Sequence, residues 1–197
     1  PGAWSPLGNT RDAAMASFRS LQNSVSVQSE ILGSFRNFNT TLGAVVRESL
    51  PAYPRKKTRT MGRVGILAAA ATEDALKDAG FLESPDLTNG RTGVACGTSG
   101  GAFPAMEDMA RFIAEKDMVN LKGSTYPLLM PHSAAVNLSI FFGVTGMVIA
   151  TSVACASGSQ ALCYGRDAIL LGREDAMICC GAEEFSPFSA GVFDALF

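Results

Sequence analysis

The segment around which this chain is built reads Gly146-Met147-Val148-Ile149-Ala150-Thr151-Ser152-Val153-Ala154-Cys155-Ala156-Ser157-Gly158-Ser159-Gln160-Ala161-Leu162. It begins as an apolar, β-branched run that is typical of a buried strand, and its later part predicts a helix to about Leu171. Cys155 lies between the two. The positive end of a helix stabilises a thiolate, and its unpaired N–H groups stabilise an oxyanion, so Cys155 is a candidate nucleophile. The alternative is a structural cysteine that packs like a small hydrophobic residue.

The same segment carries a family resemblance. Val-Ala-Cys-Ala-Ser-Gly at positions 153–158, followed by Gln-Ala-Leu, resembles the active-site block of β-ketoacyl synthases, the carbon–carbon-forming members of the thiolase superfamily. The resemblance implies that Cys155 accepts an acyl group from acyl carrier protein and that Ala154 borders the substrate. In the family, malonyl-carrier then loses CO2, and its carbanion attacks the thioester to give a β-ketoacyl product.

The composition argues against several classes of function. Of the 197 residues, 47% are hydrophobic and 17% charged, and the net charge of −2 gives no argument for nucleic-acid or membrane binding. The adjacent Cys179 and Cys180 lie in an apolar run, which suits a reduced core better than a disulfide framework. One histidine and no CxxC pair argue against a metal site, and no cofactor is expected. No transmembrane run or signal peptide is visible, so a cytoplasmic location is predicted.

The N-terminal quarter is rich in turns and polar residues. Asn9 or Thr10 is expected to cap a helix to about Leu21, and residues 22–50 are predicted to form a surface loop. Ser5–Gly8 resemble the family's Ser-Pro-Leu-Gly turn, and the strand that precedes this turn in the family is missing. The chain is therefore expected to begin inside the first family motif.

A dense basic segment follows at Tyr53–Arg63. From charge patterning alone, a solvated loop and a docking surface are equally acceptable interpretations. The segment resembles the basic run of ketosynthases where acidic acyl carrier proteins dock. Lys56 and Arg59 stand at the matching positions, and the resemblance implies that they bind the carrier.

The middle of the chain supplies the predicted acyl pocket. Val64–Ala79 predicts a helix closed by Gly80, and Arg91–Gly101 predicts a strand that runs into a glycine-rich turn. No Walker lysine and no GxGxxG spacing follow, so a nucleotide site is not expected. The turn instead resembles the one that borders the ketosynthase acyl pocket, with Gly100 in place of a bulky aliphatic residue. Thr125 stands where relatives often have an aromatic pocket floor, which implies a longer or wider tunnel for a long, stiff or polyene-like chain.

The segment before the nucleophile also resembles the family, with departures. Pro104–Lys116 and Ser133–Phe142 predict helices, and Tyr126–Pro131 predicts a rigid loop. The departures are His132 where Asn is usual, Val136 where Gly is usual and Met147 where Pro is common. A lone histidine at a loop–helix boundary is usually a cap or a hydrogen-bonded core group, and less often a general base.

The last part of the chain predicts a second buried strand at Asp175–Glu184, whose terminal acids we expect to form salt bridges or caps. Gly191–Phe197 resembles the family's Phe-containing loop beside the acyl pocket, with Phe193 lining it.

The resemblance extends from Ser5 to Phe197 in the family's order. It implies an α/β, thiolase-like fold with α-β-α-β-α layers, of which this chain is the first half without the initial strand. Residues 1–197 would form one N-terminal β-ketoacyl synthase domain, truncated at both ends. Two histidines and commonly a lysine come from the second half in the family, so the chain alone is expected to lack turnover as an acyltransferase.

Two partners are implied. One is acyl carrier protein. The other is a second ketosynthase-type chain, in a homodimer or heterodimer, because family members pair the strand at Val148–Val153 across a two-fold axis. Three alternatives stay open: a non-catalytic chain-length partner subunit, another thiolase-superfamily enzyme that uses coenzyme A, and a papain-like hydrolase with His132 as base. The intact Cys155 argues against the first, and the basic segment favours a protein carrier over coenzyme A.

Overall fold

The computed structural model describes residues 1–196, without the side chain of Asn120. Phe197, the end of one predicted loop and of the family resemblance, lies outside the described residues. The chain forms two compact units. The larger comprises residues 1–2 and 50–183, and the smaller comprises residues 3–49 and the segment from Glu184 onward.

The elements follow in chain order. The helices are α1 Arg11–Arg19, α2 Ser29–Leu32, α3 Arg55–Thr58, α4 Arg63–Asp78, α5 Phe103–Glu115, α6 Thr125–Leu129, α7 Ser133–Phe142, α8 Ser157–Leu170 and α9 Pro187–Asp194. The strands are β1 Ser26–Val27, β2 Leu42–Gly43, β3 Thr92–Gly97, β4 Val148–Thr151 and β5 Ala176–Gly181. Short 3-10 turns lie at Pro85–Thr88 and Met118–Asn120.

The larger unit is built on a parallel sheet with the strand order β4-β3-β5. Every residue of β3 is buried, as expected for a central parallel strand covered on both faces. The register places Gly97 beside both Thr151 and Gly181. Since the three strands are parallel, their carboxyl ends lie at one edge of the sheet.

Helices cover both faces of this sheet. Cys96 of β3 belongs to a buried apolar cluster with residues of α4 and α7, such as Ala69 and Leu138. On the opposite face, α8 packs so closely that a side chain at Gly165 would meet Cys179. The predicted helices α4, α5, α7 and α8 are confirmed within a residue or two. None of the helices in residues 1–196 has the length and apolarity needed to span a bilayer.

The smaller unit combines α1, the antiparallel pair β1–β2 and α9. Thr10 caps α1 as predicted, since its hydroxyl accepts a hydrogen bond from the N–H of Ala13 at 3.1 Å. Asp194 on α9 accepts hydrogen bonds from the N–H groups of Asn39 at 2.9 Å and Thr40 at 3.0 Å. These bonds tie the end of α9 to the segment before β2.

Three local predictions were wrong. The predicted rigid loop at Tyr126–Pro131 contains α6, because a proline in the first turn of a helix removes no intrahelical bond. The predicted loop at Gly191–Phe197 contains the end of α9, which starts with a capping box at Ser186 and a proline at its first position. The third error concerns the strands predicted to be buried: β4 and β5 are both edge strands, with Val148 of β4 44% exposed and no residue of β5 fully buried. Apolar residues do not distinguish an edge strand from a central one.

Candidate active site

Cys155 lies at the carboxyl edge of the sheet, between the last residue of β4 and the first of α8. Its side chain is exposed. The carboxyl edge is where ligands bind in open parallel sheets. The first N–H groups of α8 lack intrahelical partners, and this end of the helix carries a partial positive charge. The location fits a thiol that reacts with a carbonyl compound.

The turn around Cys155 is strained and strongly hydrogen-bonded. Ala154 has a φ of 51°, in the left-handed region, which costs a non-glycine residue about 1–2 kcal/mol. The Ser157 hydroxyl accepts a hydrogen bond from the N–H of Val153 at 2.8 Å and donates one to the carbonyl of Ala154 at 2.7 Å. The Thr151 hydroxyl donates to the carbonyl of Ser157 at 2.8 Å. These bonds hold the turn in one conformation.

Three glycines bring the start of α8 onto the sheet. A β-carbon at Gly97 would overlap the carbonyl group of Ser157, and one at Gly158 would lie 3.3 Å from the α-carbon of Gly181. A helix approaches a sheet this closely only where neither carries a side chain. The glycines therefore set how closely the turn that contains Cys155 approaches β3 and β5.

A second polar link crosses the same edge. The carboxylate of Glu183, just after β5, accepts hydrogen bonds from the N–H of Ser99 at 2.9 Å and from the Ser99 hydroxyl. Ser99 begins the glycine-rich turn after β3. Glu183 therefore fixes this turn, and the expectation of a capping role for a strand-end acid is met at this position.

The predicted pocket residues Gly100 and Thr125 lie on two connected segments. The N–H of Ala102 donates to the carbonyl of Leu128 at 2.8 Å, which joins the glycine-rich turn to α6. Thr125, the first residue of α6, is 1% exposed and its hydroxyl accepts from the N–H of Lys122. A β-carbon at Gly100 would lie 3.2 Å from the terminal methyl group of Met106. Met106 therefore occupies the space that the missing side chain leaves.

The basic segment forms α3 and exposes Lys56 and Arg59. Lys57 has a different role: its ammonium group donates to the carbonyl of Phe141 at 3.2 Å and lies 4.8 Å from the centre of that ring. Lys57 thus anchors α3 to α7, while no ion pair among residues 1–196 involves Lys56 or Arg59. Lys56 and Arg59 are therefore exposed cations.

The two remaining candidates are His132 and Phe193. His132 is exposed at the N-cap position of α7, and its side chain makes no cap hydrogen bond. The proposed capping role is therefore wrong for its side chain. Phe193 lies on α9 in the smaller unit and is 59% exposed.

The remaining cysteines differ from Cys155. Cys96 is fully buried beside Cys180, and their hydrogen bond together with burial raises the pKa of the Cys96 thiol far above its usual range. Burial also raises the pKa of Cys179. All five cysteines are free. Cys163 is exposed like Cys155, but it lies in the middle of α8, away from the helix end.

Sequence reasoning missed three residues of this site: Ser157, Glu183 as the partner of Ser99, and Met106. Ser157 enters the sequence-based predictions only as part of the motif at positions 153–158, and no role is assigned to its hydroxyl. A Ser two residues after a candidate nucleophile, at a helix start, is a signal for a side-chain-to-main-chain bond. The bond from Ser99 to Glu183 joins residues 84 positions apart, and the contact of Met106 with Gly100 depends on how the Met106 side chain packs; no local pattern predicts either.

Comparison with protein families and curated proteins identifies relatives. The family model described as "Beta-ketoacyl synthase, N-terminal domain" matches residues 22–197. Nodulation protein E of Rhizobium leguminosarum bv. trifolii is 35% identical over 154 residues, which are 77% of this chain and 37% of that protein. The 3-oxoacyl-[acyl-carrier-protein] synthase 2 of Staphylococcus aureus (strain N315) is 28% identical over 92% of this chain and 44% of that protein. The chain spans less than half the length of these two curated relatives.

Solved structures give the same result for the fold. A β-ketoacyl synthase from Burkholderia phymatum STM815 superposes with a TM-score of 0.94 at 37% identity, over 100% of this chain and 48% of that one. The ishigamide ketosynthase/chain length factor superposes with a TM-score of 0.85 over 99% of this chain and 49% of that one. At 20% identity the second likeness shows the fold alone. The predicted thiolase-like α/β fold is confirmed, and it corresponds to half of each solved chain.

Proposed function

The chain belongs to the β-ketoacyl synthase family, and on this premise we propose that it supplies the nucleophile of a 3-oxoacyl-[acyl-carrier-protein] synthase-type acyltransferase. Cys155 takes an acyl group from acyl carrier protein, for condensation with malonyl-carrier in fatty acid or polyketide and polyene biosynthesis. One observation carries the proposal: the exposed thiol lies at the start of α8, in a turn held by side-chain hydrogen bonds. A structural cysteine needs neither feature.

The proposed reaction has two half-reactions. The Cys155 thiolate attacks the carbonyl carbon of the acyl-carrier thioester, and the carrier thiolate leaves as the new thioester forms. Malonyl-carrier then loses CO2, and the resulting carbanion attacks the same carbonyl carbon and expels Cys155 as a thiolate. Covalent catalysis divides a difficult transfer into two easier steps, and a thiolate suits it because it attacks well and leaves well. Main-chain N–H groups at the start of α8 stabilise the oxyanion of each tetrahedral intermediate.

The carrier is proposed to dock at α3. Lys56 and Arg59 are exposed, while Lys57 fixes the helix to α7. Exposed cations on an anchored element suit an acidic partner, because charge complementarity guides the encounter without large rearrangement.

A second ketosynthase-type chain is proposed to pair with β4. This strand is the edge of the sheet, and Val148 and Val153 on and after it are 44% and 43% exposed. Apolar edge strands are usually covered by another strand or a partner. Both a homodimer and a heterodimer satisfy this requirement.

The complete reaction needs residues beyond these 197. We propose that residues 1–197 are the N-terminal β-ketoacyl synthase domain, and that two histidines and a lysine from the rest of the whole protein polarise the malonyl thioester. The free state of all five cysteines supports the proposed cytoplasmic location. The exposed Cys155 favours a catalytic chain over a non-catalytic chain-length partner.

Condensation itself tests the proposal. The full-length protein is supplied with acyl-carrier and malonyl-carrier, and the β-ketoacyl-carrier product and CO2 are measured together. Equal amounts of both are the expected result, and formation of the β-ketoacyl-carrier product should be abolished in Cys155→Ala. Condensation that continues in Cys155→Ala would contradict the proposal.

A further inference from the structure

We propose that Ser157 is a positioning residue for the nucleophile, and that its hydroxyl group holds the turn that presents the Cys155 thiol. The inference rests on the proposed function of Cys155. It extends that function to a side chain that acts through the main chain of the two residues before Cys155, Val153 and Ala154.

The hydroxyl group of Ser157 makes hydrogen bonds to the main chain of Val153 and of Ala154, the two residues before Cys155. It accepts from the N–H of Val153 at 2.8 Å and donates to the carbonyl of Ala154 at 2.7 Å. The two bonds use both the donor and an acceptor site of one hydroxyl, and they close a ring of main chain around Cys155. Ser157 is 3% exposed, so water does not compete at the hydroxyl itself.

Hydrogen bonds also link Ser157 itself to the sheet. Its carbonyl accepts a hydrogen bond from the buried Thr151 hydroxyl at 2.8 Å, and the carbonyl of Thr151 accepts one from the N–H of Thr98 at 3.1 Å. A continuous series of bonds therefore runs from the end of β3 through Thr151 to Ser157 and the turn.

The conformation of Ala154 shows why the turn needs this support. Its φ of 51° is unfavourable for alanine, and such conformations persist only where the surroundings impose them. Without the Ser157 hydroxyl, the main-chain bonds from the N–H of Ser157 to the carbonyl of Ala154 at 3.0 Å and from the N–H of Ala156 to the carbonyl of Val153 at 3.2 Å remain. The N–H of Val153 loses its partner, so we expect the turn to loosen and Cys155 to move relative to the first N–H groups of α8. Small displacements of a nucleophile have large effects on rate.

Site-resolved alkylation of the full-length protein with iodoacetamide tests the inference. The modification rates of Cys155 and Cys163 are measured by peptide mass spectrometry, because Cys163 is exposed on the same helix and serves as an internal reference. Ser157→Ala is expected to slow the modification of Cys155 by about tenfold and to leave the Cys163 rate unchanged. Ser157→Thr keeps the hydroxyl and is expected to restore the Cys155 rate.

Ser159→Ala is the matched control, because it removes an exposed hydroxyl from the same helical turn. In this variant the alkylation rate of Cys155 is expected to equal that in the protein without substitutions. An unchanged Cys155 rate in Ser157→Ala would overturn the inference. A parallel change in the Cys163 rate, or new labelling of the buried Cys96, would assign Ser157 a structural role only. Failure of Ser157→Thr to restore the Cys155 rate would exclude the hydroxyl as the cause.

This test separates the inference from the proposed function. Iodoacetamide reacts without a carrier protein, so the effect of Ser157→Ala on alkylation does not depend on acyl transfer. If the unsubstituted protein accepts no acyl group but Ser157→Ala still slows alkylation of Cys155, only the proposed function is contradicted.

Discussion

Gly97, at the end of β3, lies against the main chain of Ser157 so closely that a β-carbon at position 97 would overlap the Ser157 carbonyl group. The same β-carbon would lie 2.7 Å from the main-chain nitrogen of Gly158. The central strand thus sets the position of the first residues of α8. Since Ser157 also holds the turn around Cys155, the sheet positions the nucleophile through this contact.

Gly97→Ala is therefore expected to destabilise the protein by about 1–3 kcal/mol, because main chain rather than a flexible side chain must move. Denaturant unfolding measures the change, and alkylation of Cys155 should slow in the same variant. Gly123→Ala is the control, since a β-carbon at Gly123 meets nothing within 4 Å. Equal stabilities of the two variants would show that the close approach has no energetic weight.

Reversal of the exposed charges on α3 should weaken carrier binding. Lys56→Glu with Arg59→Glu is expected to raise the Kd for acyl carrier protein by roughly tenfold or more at low ionic strength, and by less in high salt. Titration by calorimetry or fluorescence measures this. Arg111→Glu removes an exposed cation of α5 and should leave the affinity nearly unchanged. Equal losses in both proteins would indicate a general charge effect and not docking at α3.

The length of the accepted acyl chain should depend on position 100. Gly100→Ile is expected to shorten the longest chain that acylates the protein, because the new side chain must displace the terminal methyl group of Met106. Met106→Ala should have the opposite effect. Acylation with a series of acyl-carrier thioesters measures both. An unchanged chain-length profile in both variants would remove position 100 from the pocket.

Glu73 should make stability depend on pH in the acidic range. The Lys77 ammonium, 2.5 Å from its carboxylate, lowers the pKa of Glu73, and the Tyr53 hydroxyl donates to the same group at 2.7 Å. A depressed native pKa contributes stability above the unfolded-state value of about 4.3, and this contribution is lost as pH falls through the native pKa. When the pH is lowered from about 6 to about 3, the Tm of Glu73→Gln should therefore fall less than the Tm of the protein without substitutions. Glu107→Gln, on the exposed face of α5, should retain the original slope, and identical slopes in all three proteins would contradict the expectation.

The sequence predicted the parts of the fold that local patterns specify. The strand, turn and helix around Cys155, the Thr10 cap and the Gly80 end of α4 follow from residue type and spacing alone. Helix α6 was missed because its proline was interpreted as a loop signal, although proline also occurs in the first turn of helices. Helix α9 was missed because the loop at Gly191–Phe197 was inferred from the family resemblance, although Ser186 and Pro187 signal a helix start. The edge position of β4 depends on strand order, which apolar composition does not determine.

The candidate site also contains both residues that a local pattern predicts and contacts that form only when the chain folds. Cys155 was identified from its local segment, whereas the bond between Ser99 and Glu183 joins residues 84 positions apart. That bond exists because β3 and β5 are neighbours in register. The role of the Ser157 hydroxyl depends on the left-handed conformation of Ala154, and the space at Gly100 depends on where the Met106 side chain lies. These features become visible only once the chain is folded.

The most direct test of the central claim is acylation of Cys155. The full-length protein is incubated with an acyl-carrier thioester, without malonyl-carrier, and its intact mass is measured before and after incubation. The account predicts one added acyl group per chain, located on the peptide that contains Cys155 and absent in Cys155→Ala. No adduct, or an adduct that persists in Cys155→Ala, would contradict it.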